Sequence, residues 1–407
     1  MNIYYISSID ISLPNGPGVN EREFVNTLQK ECRRRGDHLC CLIPKPTGSV
    51  DAPLTNALFY KDETGGRRLT YYRLAINYLK LTAALLGRLP FRKNSLFILR
   101  LSSETLLVPF ILQMLRKSYC IKTLEDIYGF ASRNNSGLTR LNFWIKRFLL
   151  KVCLRKAIFI DACTHQLVSM YKTRFRLKNI TYIDNAVNIE RFNIQSRLES
   201  RRLCGLHSFQ NIVGYCGGFP SQRGAAQLIN IAHRLIQAIP SCGILIIGED
   251  AELETLKRQV RKNKLGKRVI FKGIVPYEKL ADYINCLDVG VALDTMEKVE
   301  NVGNSSQKIR QYLACGVPFI CPENTNLSMV AKELSISVPV NDLNAIYHAI
   351  LYFLKRPAAD IQQYRMKARN YATEALSTEL IYAKRYQLWV RALKEKNVLN
   401  QNETLIL

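Results

Sequence analysis

The chain has 407 residues, with 58 Lys and Arg against 33 Asp and Glu, a formal charge of +25. This length exceeds one ordinary core and predicts two domains, while no run of eighteen uncharged apolar residues and no signal-peptide start is present. Membrane-spanning and secreted classes are set aside, and a cytoplasmic protein with an anionic partner is expected: a lipid surface, a nucleic acid or a phosphorylated substrate. Twelve cysteines without a CxxC pair or a Cys/His cluster at zinc-ligand spacing are expected to be reduced and mostly buried, with no metal site.

In chain order, NIYYIS reads as an apolar strand, followed by the loop SIDISLPNGPGVN, the amphipathic helix EREFVNTLQKECRRRG and a second strand, HLCCLIP. The loop carries Gly16, Pro17 and Gly18, where backbone could approach a ligand closely. It lacks the third glycine of a dinucleotide fingerprint, and no acidic residue ends the second strand, which argues against NAD. Residues 1–185 hold 29 basic and 13 acidic side chains, so most of the charge excess lies there. Ten basic residues and one acid between 65 and 117 alternate with apolar runs such as YLKLTAALLGRLPF. That pattern suits a helix lying in an anionic bilayer surface, and equally a core helix with a solvated basic face.

SLFILRLS, CIKTLEDI, AIFIDACT and ITYIDNAV supply further strands with helical patterns between them, giving a first parallel, doubly wound domain. Glu125 and Asp126 follow one of these strands, and His165 reads as a packed helix residue. A polar stretch near 187–207 joins this domain to a second set of strands: NIVGYCGG, GILIIGED, RVIFKGIV, VGVALD, PFICP and SISVPV. In YCGGFPSQRG, Gly217 and Gly218 follow a strand and Arg223 stands before a helix, an arrangement matched to a diphosphate. GNSSQKIRQYLACGVPFI reads as loop, helix, stop, strand, with Ser305 or Ser306 at the cap, Lys308 in the first turn and Gly316 at the end. Its helix N-terminus is a candidate anion site. LIYAKRYQLWVRALKE has the spacing of a terminal helix that packs on something.

Taken together, DNAVNIERF, GYCGGFPSQRGAAQLI, LIIGEDAELETLK, VIFKGIVPYEKLADYINCLDVGVAL and SSQKIRQYLACGVPFI closely resemble the nucleotide-sugar half of the family four retaining glycosyltransferases, across most of 183–355. The first half resembles that family more loosely, through NGPGVNEREFVNTL, RRRGDHLCCLIP and DACTHQLVSMY. The resemblance implies an α/β fold of GT-B type: two Rossmann-like doubly wound domains facing a cleft, with the C-terminal helix packing back. It implies an acceptor domain over 1–185, a nucleotide-sugar domain over 186–375, and a helix and tail over 376–407.

By the same resemblance, Arg223 and Lys308 are the catalytic cations that stabilise charge on a leaving diphosphate. Gly217, Gly218, Gly248, Val275, Gly303, Asn304, Ser305, Ser306 and Gln311 fall on donor-binding positions. Gly16, Gly18, Glu125 and Asp126 stand on the acceptor side. The family's paired glutamates fall on Gly303 and Gln311, neither of which is acidic, and its earlier arginine falls on Gly218. A neutral amide accepts a hydrogen bond with about half the strength of a carboxylate. Sugar contacts would then come from backbone or from Glu297, Glu300 or Asn304.

The expected activity is transfer of a sugar, with retention, from a nucleotide sugar to a lipid-linked or other saccharide acceptor in surface polysaccharide biosynthesis, at the inner face of the cell membrane. The expected partners are the nucleotide sugar, the acceptor and an anionic membrane surface, without nucleic acid, cofactor or metal. A nucleotide-sugar epimerase of the same fold and a non-catalytic GT-B scaffold subunit are the alternatives.

Overall fold

Apolar runs bounded by polar loops form strands that are buried on both faces, so they read as continuous rather than alternating hydrophobic segments. Ser95–Arg100 and Cys242–Ile247 are buried at every position. The structure, a computed structural model, describes residues 1–13, 16–48, 57–59, 76, 79–85, 95–102, 104–123, 137–217, 224–249, 252–294, 303, 306–323 and 332–406. The chain divides into two units, one of Met1–Leu13, Pro17–Asp184 and Ile381–Leu407, the other of Asn185–Leu380 with Pro14–Gly16.

The first unit holds strands β1 (Asn2–Ile6), β2 (His38–Ile43), β3 (Ala57–Phe59), β4 (Ser95–Arg100), β5 (Tyr119–Thr123), β6 (Phe159–Ala162) and β7 (Ile180–Tyr182). They form one parallel sheet in the order β3-β2-β1-β4-β5-β6-β7. Helices α1 (Gly16–Arg34), α2 (Val108–Met114), α3 (Gly137–Lys156) and α4 (His165–Phe175) lie between strands in sequence, as right-handed parallel crossovers require.

The second unit holds β8 (Asn211–Cys216), β9 (Cys242–Ile247), β10 (Val269–Gly273), β11 (Val289–Val291), β12 (Phe319–Pro322) and β13 (Ile336–Val338), in the order β10-β9-β8-β11-β12-β13. Its helices are α5 (Arg197–Leu203), α6 (Ala225–Ala238), α7 (Leu253–Lys262), α8 (Tyr277–Asn285), α9 (Gln307–Ala314), α10 (Leu343–Leu354) and α11 (Ala358–Ala375). A core of Val213, Tyr215, Ile244, Ile246, Val291 and Ile320 from the sheet is closed by Leu228, Ala232 and Leu235 of α6 and by Ile346 and Ile350 of α10.

The last helix, α12 (Thr378–Ile406), belongs to the first unit from Ile381 onward. Tyr382 meets Phe24 of α1 edge-on at 5.1 Å between ring centroids, and Trp389 meets it at 6.0 Å. Trp389 is wholly buried and donates from Nε1 to Asp161 Oδ1 at 2.9 Å, while Arg385 Nε lies 2.9 Å from Asp161 Oδ2. The terminal helix thus packs back onto the N-terminal sheet, as its spacing predicts.

Three readings are corrected. Helix α1 starts at Gly16, so Gly16 and Gly18 are helical rather than loop residues; Pro17 at the second position is compatible with a first turn, where its missing N–H has no partner to lose. His165 is the exposed first residue of α4, its ring tilted against that of Tyr182 at 4.0 Å between centroids, rather than packed inside. Strand β3 is an addition: its apolar run, Ala-Leu-Phe, is only three residues long and is half-buried or exposed. All twelve cysteines are free and all but Cys40 are buried. Much of the basic segment between 65 and 117 lies outside the described residues.

Candidate functional site

The order of the second sheet reverses between β8 and β11, because the chain winds outward through β9 and β10 and then returns to the other side of β8. In an open parallel sheet the loops leaving the carboxyl ends of the two strands at such a point diverge and leave a crevice. The chain leaves those ends at Gly217 after β8 and at Ala292 after β11, and after the second it re-enters regular structure at α9.

Three backbone segments meet here. The Gly217 N–H donates to the Ile247 carbonyl at 2.9 Å, and the Gly248 N–H donates to the Gly273 carbonyl at 2.8 Å. Both glycines have positive φ, +138° and +124°, and a Cβ on Gly248 would run into the Gly217 carbonyl oxygen. Only glycine lets the chains turn away from the sheet this closely.

Lys308, in the first turn of α9, lies over this crossing. A Cβ on Gly217 would stand 3.3 Å from Lys308 Cε and 3.5 Å from Nζ. The ammonium is 3.4 Å from the Tyr215 hydroxyl and 4.7 Å from its ring centroid, and the residue is 9 % exposed. The ring face partly compensates the charge, and the phenol fixes its position.

Ser306 is the N-cap of α9 in an extended conformation, and its side chain makes no cap bond to the first turn. The first turn has no acidic residue. Arg310 anchors this end, donating to the Asn185 carbonyl at 3.0 Å and the Ser306 carbonyl at 2.9 Å, while itself 1 % exposed. A lysine ammonium and a helix N-terminus without acidic residues are both suited to an anion.

Gly217, Gly248 and Lys308 are therefore brought together. Ser306 caps the same helix, Gln311 lies on it and is buried, and Gly303 precedes it with φ of +78°. Val275 is half-buried just beyond β10. Gly16 and Gly18 belong to α1. Arg223, Gly218, Asn304, Ser305, Glu125, Asp126, Glu297 and Glu300 lie outside the described residues. Tyr215 and Arg310 were not singled out by the sequence, although Tyr215 shares a strand face with Gly217, two residues on. Cys216 is no nucleophile, because burial pushes its thiol up to about 12.

In the first unit the order reverses between β1 and β4. There Ser8 Oγ donates to Ser102 Oγ at 2.8 Å, and Ser102 and Thr105 hydroxyls lie 3.1 Å apart. Asp10 accepts from the Ser12 N–H at 2.8 Å and the Thr47 hydroxyl at 2.7 Å, and these bonds outweigh burial and lower its pKa. Beneath the loop, Glu21 of α1 takes Arg100 at 2.6 Å and Lys122 at 3.3 Å.

Residues 210–356 match the family model described as "Glycosyl transferases group 1". No curated protein matches the chain significantly. Among solved structures, sucrose-phosphate synthase from Thermosynechococcus elongatus is similar at 17% identity and a TM-score of 0.75, covering 97% of this chain and 100% of its own. HepE of Anabaena, in complex with UDP and glucose, is similar at 14% identity and a TM-score of 0.69, covering 95% and 98%. WaaG, a glycosyltransferase involved in lipopolysaccharide biosynthesis, is similar at 11% and 0.69, covering 94% and 98%. These likenesses establish the fold of the chain: α/β, of GT-B type, with two Rossmann-like doubly wound units.

Proposed function

We propose that the chain is a retaining glycosyltransferase that uses a nucleoside diphosphate sugar. The observation that carries this reading is Lys308 held over the Gly217–Gly248 crossing, in the first turn of α9 and inside the segment matching group 1 glycosyl transferases. Departure of the sugar leaves growing negative charge on the diphosphate, and a preorganised ammonium with backbone N–H groups stabilises that charge. Arg223 would add a second cation, Gln311 would meet the ribose, and no metal or other cofactor is needed. UDP and glucose bound to HepE support a nucleotide-sugar donor.

The acceptor is proposed to be a lipid-linked saccharide of surface polysaccharide assembly, met by the first unit, with Glu125 and Asp126 orienting its hydroxyl. A place on the inner membrane surface fits the basic first half and α3, where Trp144, Ile145 and Phe148 are exposed beside Arg147 and Lys151. Among the described residues no helix is long and apolar enough to cross a membrane.

The test is transfer from a panel of nucleotide sugars to lipid-linked acceptors, with the anomeric product read by NMR. An acceptor-dependent product of retained configuration is expected. A changed free nucleotide sugar would show an epimerase instead. The replacement of both family glutamates, by Gly303 and Gln311, favours a second reading as a non-catalytic binding subunit; nucleotide binding without turnover on any acceptor would establish it.

A further inference from the structure

A second concentration of positive charge lies at the amino ends of the strands of the second unit, the opposite end of the sheet from Lys308. Arg197 and Arg201 of α5 bracket Asp288, just before β11, with N–O distances of 2.9 and 2.5 Å. Asp288 also accepts the Ile212 N–H at 2.6 Å, so this carboxylate is fully engaged. Arg365 of α11 is only 6 % exposed and donates from Nη2 to the Gln195 carbonyl at 3.2 Å. Its Nη1, together with Nε and Nη2 of Arg197, is buried without an acceptor among the described residues. Buried donors without partners each cost free energy, and two guanidinium groups sharing one site add mutual repulsion. Burial and the charge of Arg197 pull Arg365 down to about 10.

The same two arginines line a cavity of about 630 Å³, together with Arg356, Asn211, Gln362 and Phe353. Ala358, in the first turn of α11, also lines it, and that helix begins after Pro357 without a side-chain cap. Among the described residues, four guanidinium groups here meet two carboxylates, Asp288 and the Asp360 that pairs with Arg356 at 2.8 Å. Two positive charges remain, which matches a dianion. The volume exceeds that of orthophosphate, and Phe353 offers an apolar wall for an organic part.

We propose that this cavity is a second ligand site, one that binds a phosphate monoester through the guanidinium groups of Arg197 and Arg365. The guanidinium groups turn their unpaired N–H groups toward the phosphate oxygens and make charge-assisted bonds, and the remainder of the ligand lies along Phe353. This binding does not depend on sugar transfer.

The test follows the melting temperature of the full chain at constant ionic strength while chloride is exchanged for inorganic phosphate or glucose 6-phosphate. A saturable rise is expected, at lower concentration for the ester, in the parent protein and in Lys308→Ala. Arg197→Gln and Arg365→Gln should weaken it about tenfold or more. Gln362→Glu, at an exposed rim position, should weaken it equally while leaving the fold intact, and it decides the matter if the buried variants fail to fold. No saturable rise in the parent protein would overturn the proposal. So would a rise that survives Gln362→Glu, or one lost in Lys308→Ala, which would assign the anion to the other end of the sheet.

Discussion

Glu21 is completely buried, yet it is held ionised. Burial alone pushes its carboxyl up, but the Arg100 guanidinium and Lys122 ammonium, with bonds from Ser7 and Tyr5, bring it down to about 2. Glu21→Gln would leave both cations uncompensated and should cost roughly 3–5 kcal/mol in chemical denaturation. Because the folded pKa lies below the unfolded one, this stabilisation is present above the unfolded carboxylate range. It is lost as pH falls from about 4.5 toward 2, so the parent should show an acid transition there that the Gln variant lacks. At the candidate donor site, Gln311→Glu should tighten nucleoside diphosphate binding severalfold in calorimetry, since a carboxylate accepts ribose hydroxyls more strongly than an amide. Gly303→Glu should not, because φ of +78° strains any side chain and misplaces the carboxylate. If both variants behave alike, the backbone at Gly303 does not control the site.

Helix α12 shows what one element contributes. Its Trp389 fills the space between Phe24 and Asp161, so Trp389→Ala should cost about 3–5 kcal/mol by removing buried area and leaving a cavity; unchanged thermal stability would mean that the helix is held elsewhere. The apolar spacing of this helix was legible in the sequence. Its anchor was not, because Asp161 lies 228 positions away within the strand run AIFIDACT. The strands were legible for a simple reason: burial on both faces demands continuous apolar runs. The charges inside them were harder to interpret, since Arg100 and Lys122 become neighbours only through parallel register, and Glu21 joins them from α1. At the candidate donor site, the Lys308 helix was legible from its stop and start signals. The pairing of Arg197 with Arg365 was not, because nothing local distinguishes a buried arginine from a solvated one.

For the whole molecule, the charge of +25 predicts attraction to anionic surfaces that salt screens. Binding to anionic vesicles should fall steeply with ionic strength, and Phe148→Glu on α3 should weaken it at least severalfold; equal binding to neutral and anionic vesicles at low salt would remove the membrane from the account. The central claim is that the reversal point of the second sheet holds a nucleoside diphosphate. It is tested most directly by melting the purified chain with UDP, GDP, ADP and CMP, alongside Lys308→Ala. A ligand at a hundred times its dissociation constant stabilises the folded state by about 2.7 kcal/mol. The account predicts an upward shift with one diphosphate and a much smaller one in Lys308→Ala. A parent protein that no nucleotide shifts, or a shift that Lys308→Ala leaves unchanged, would contradict it.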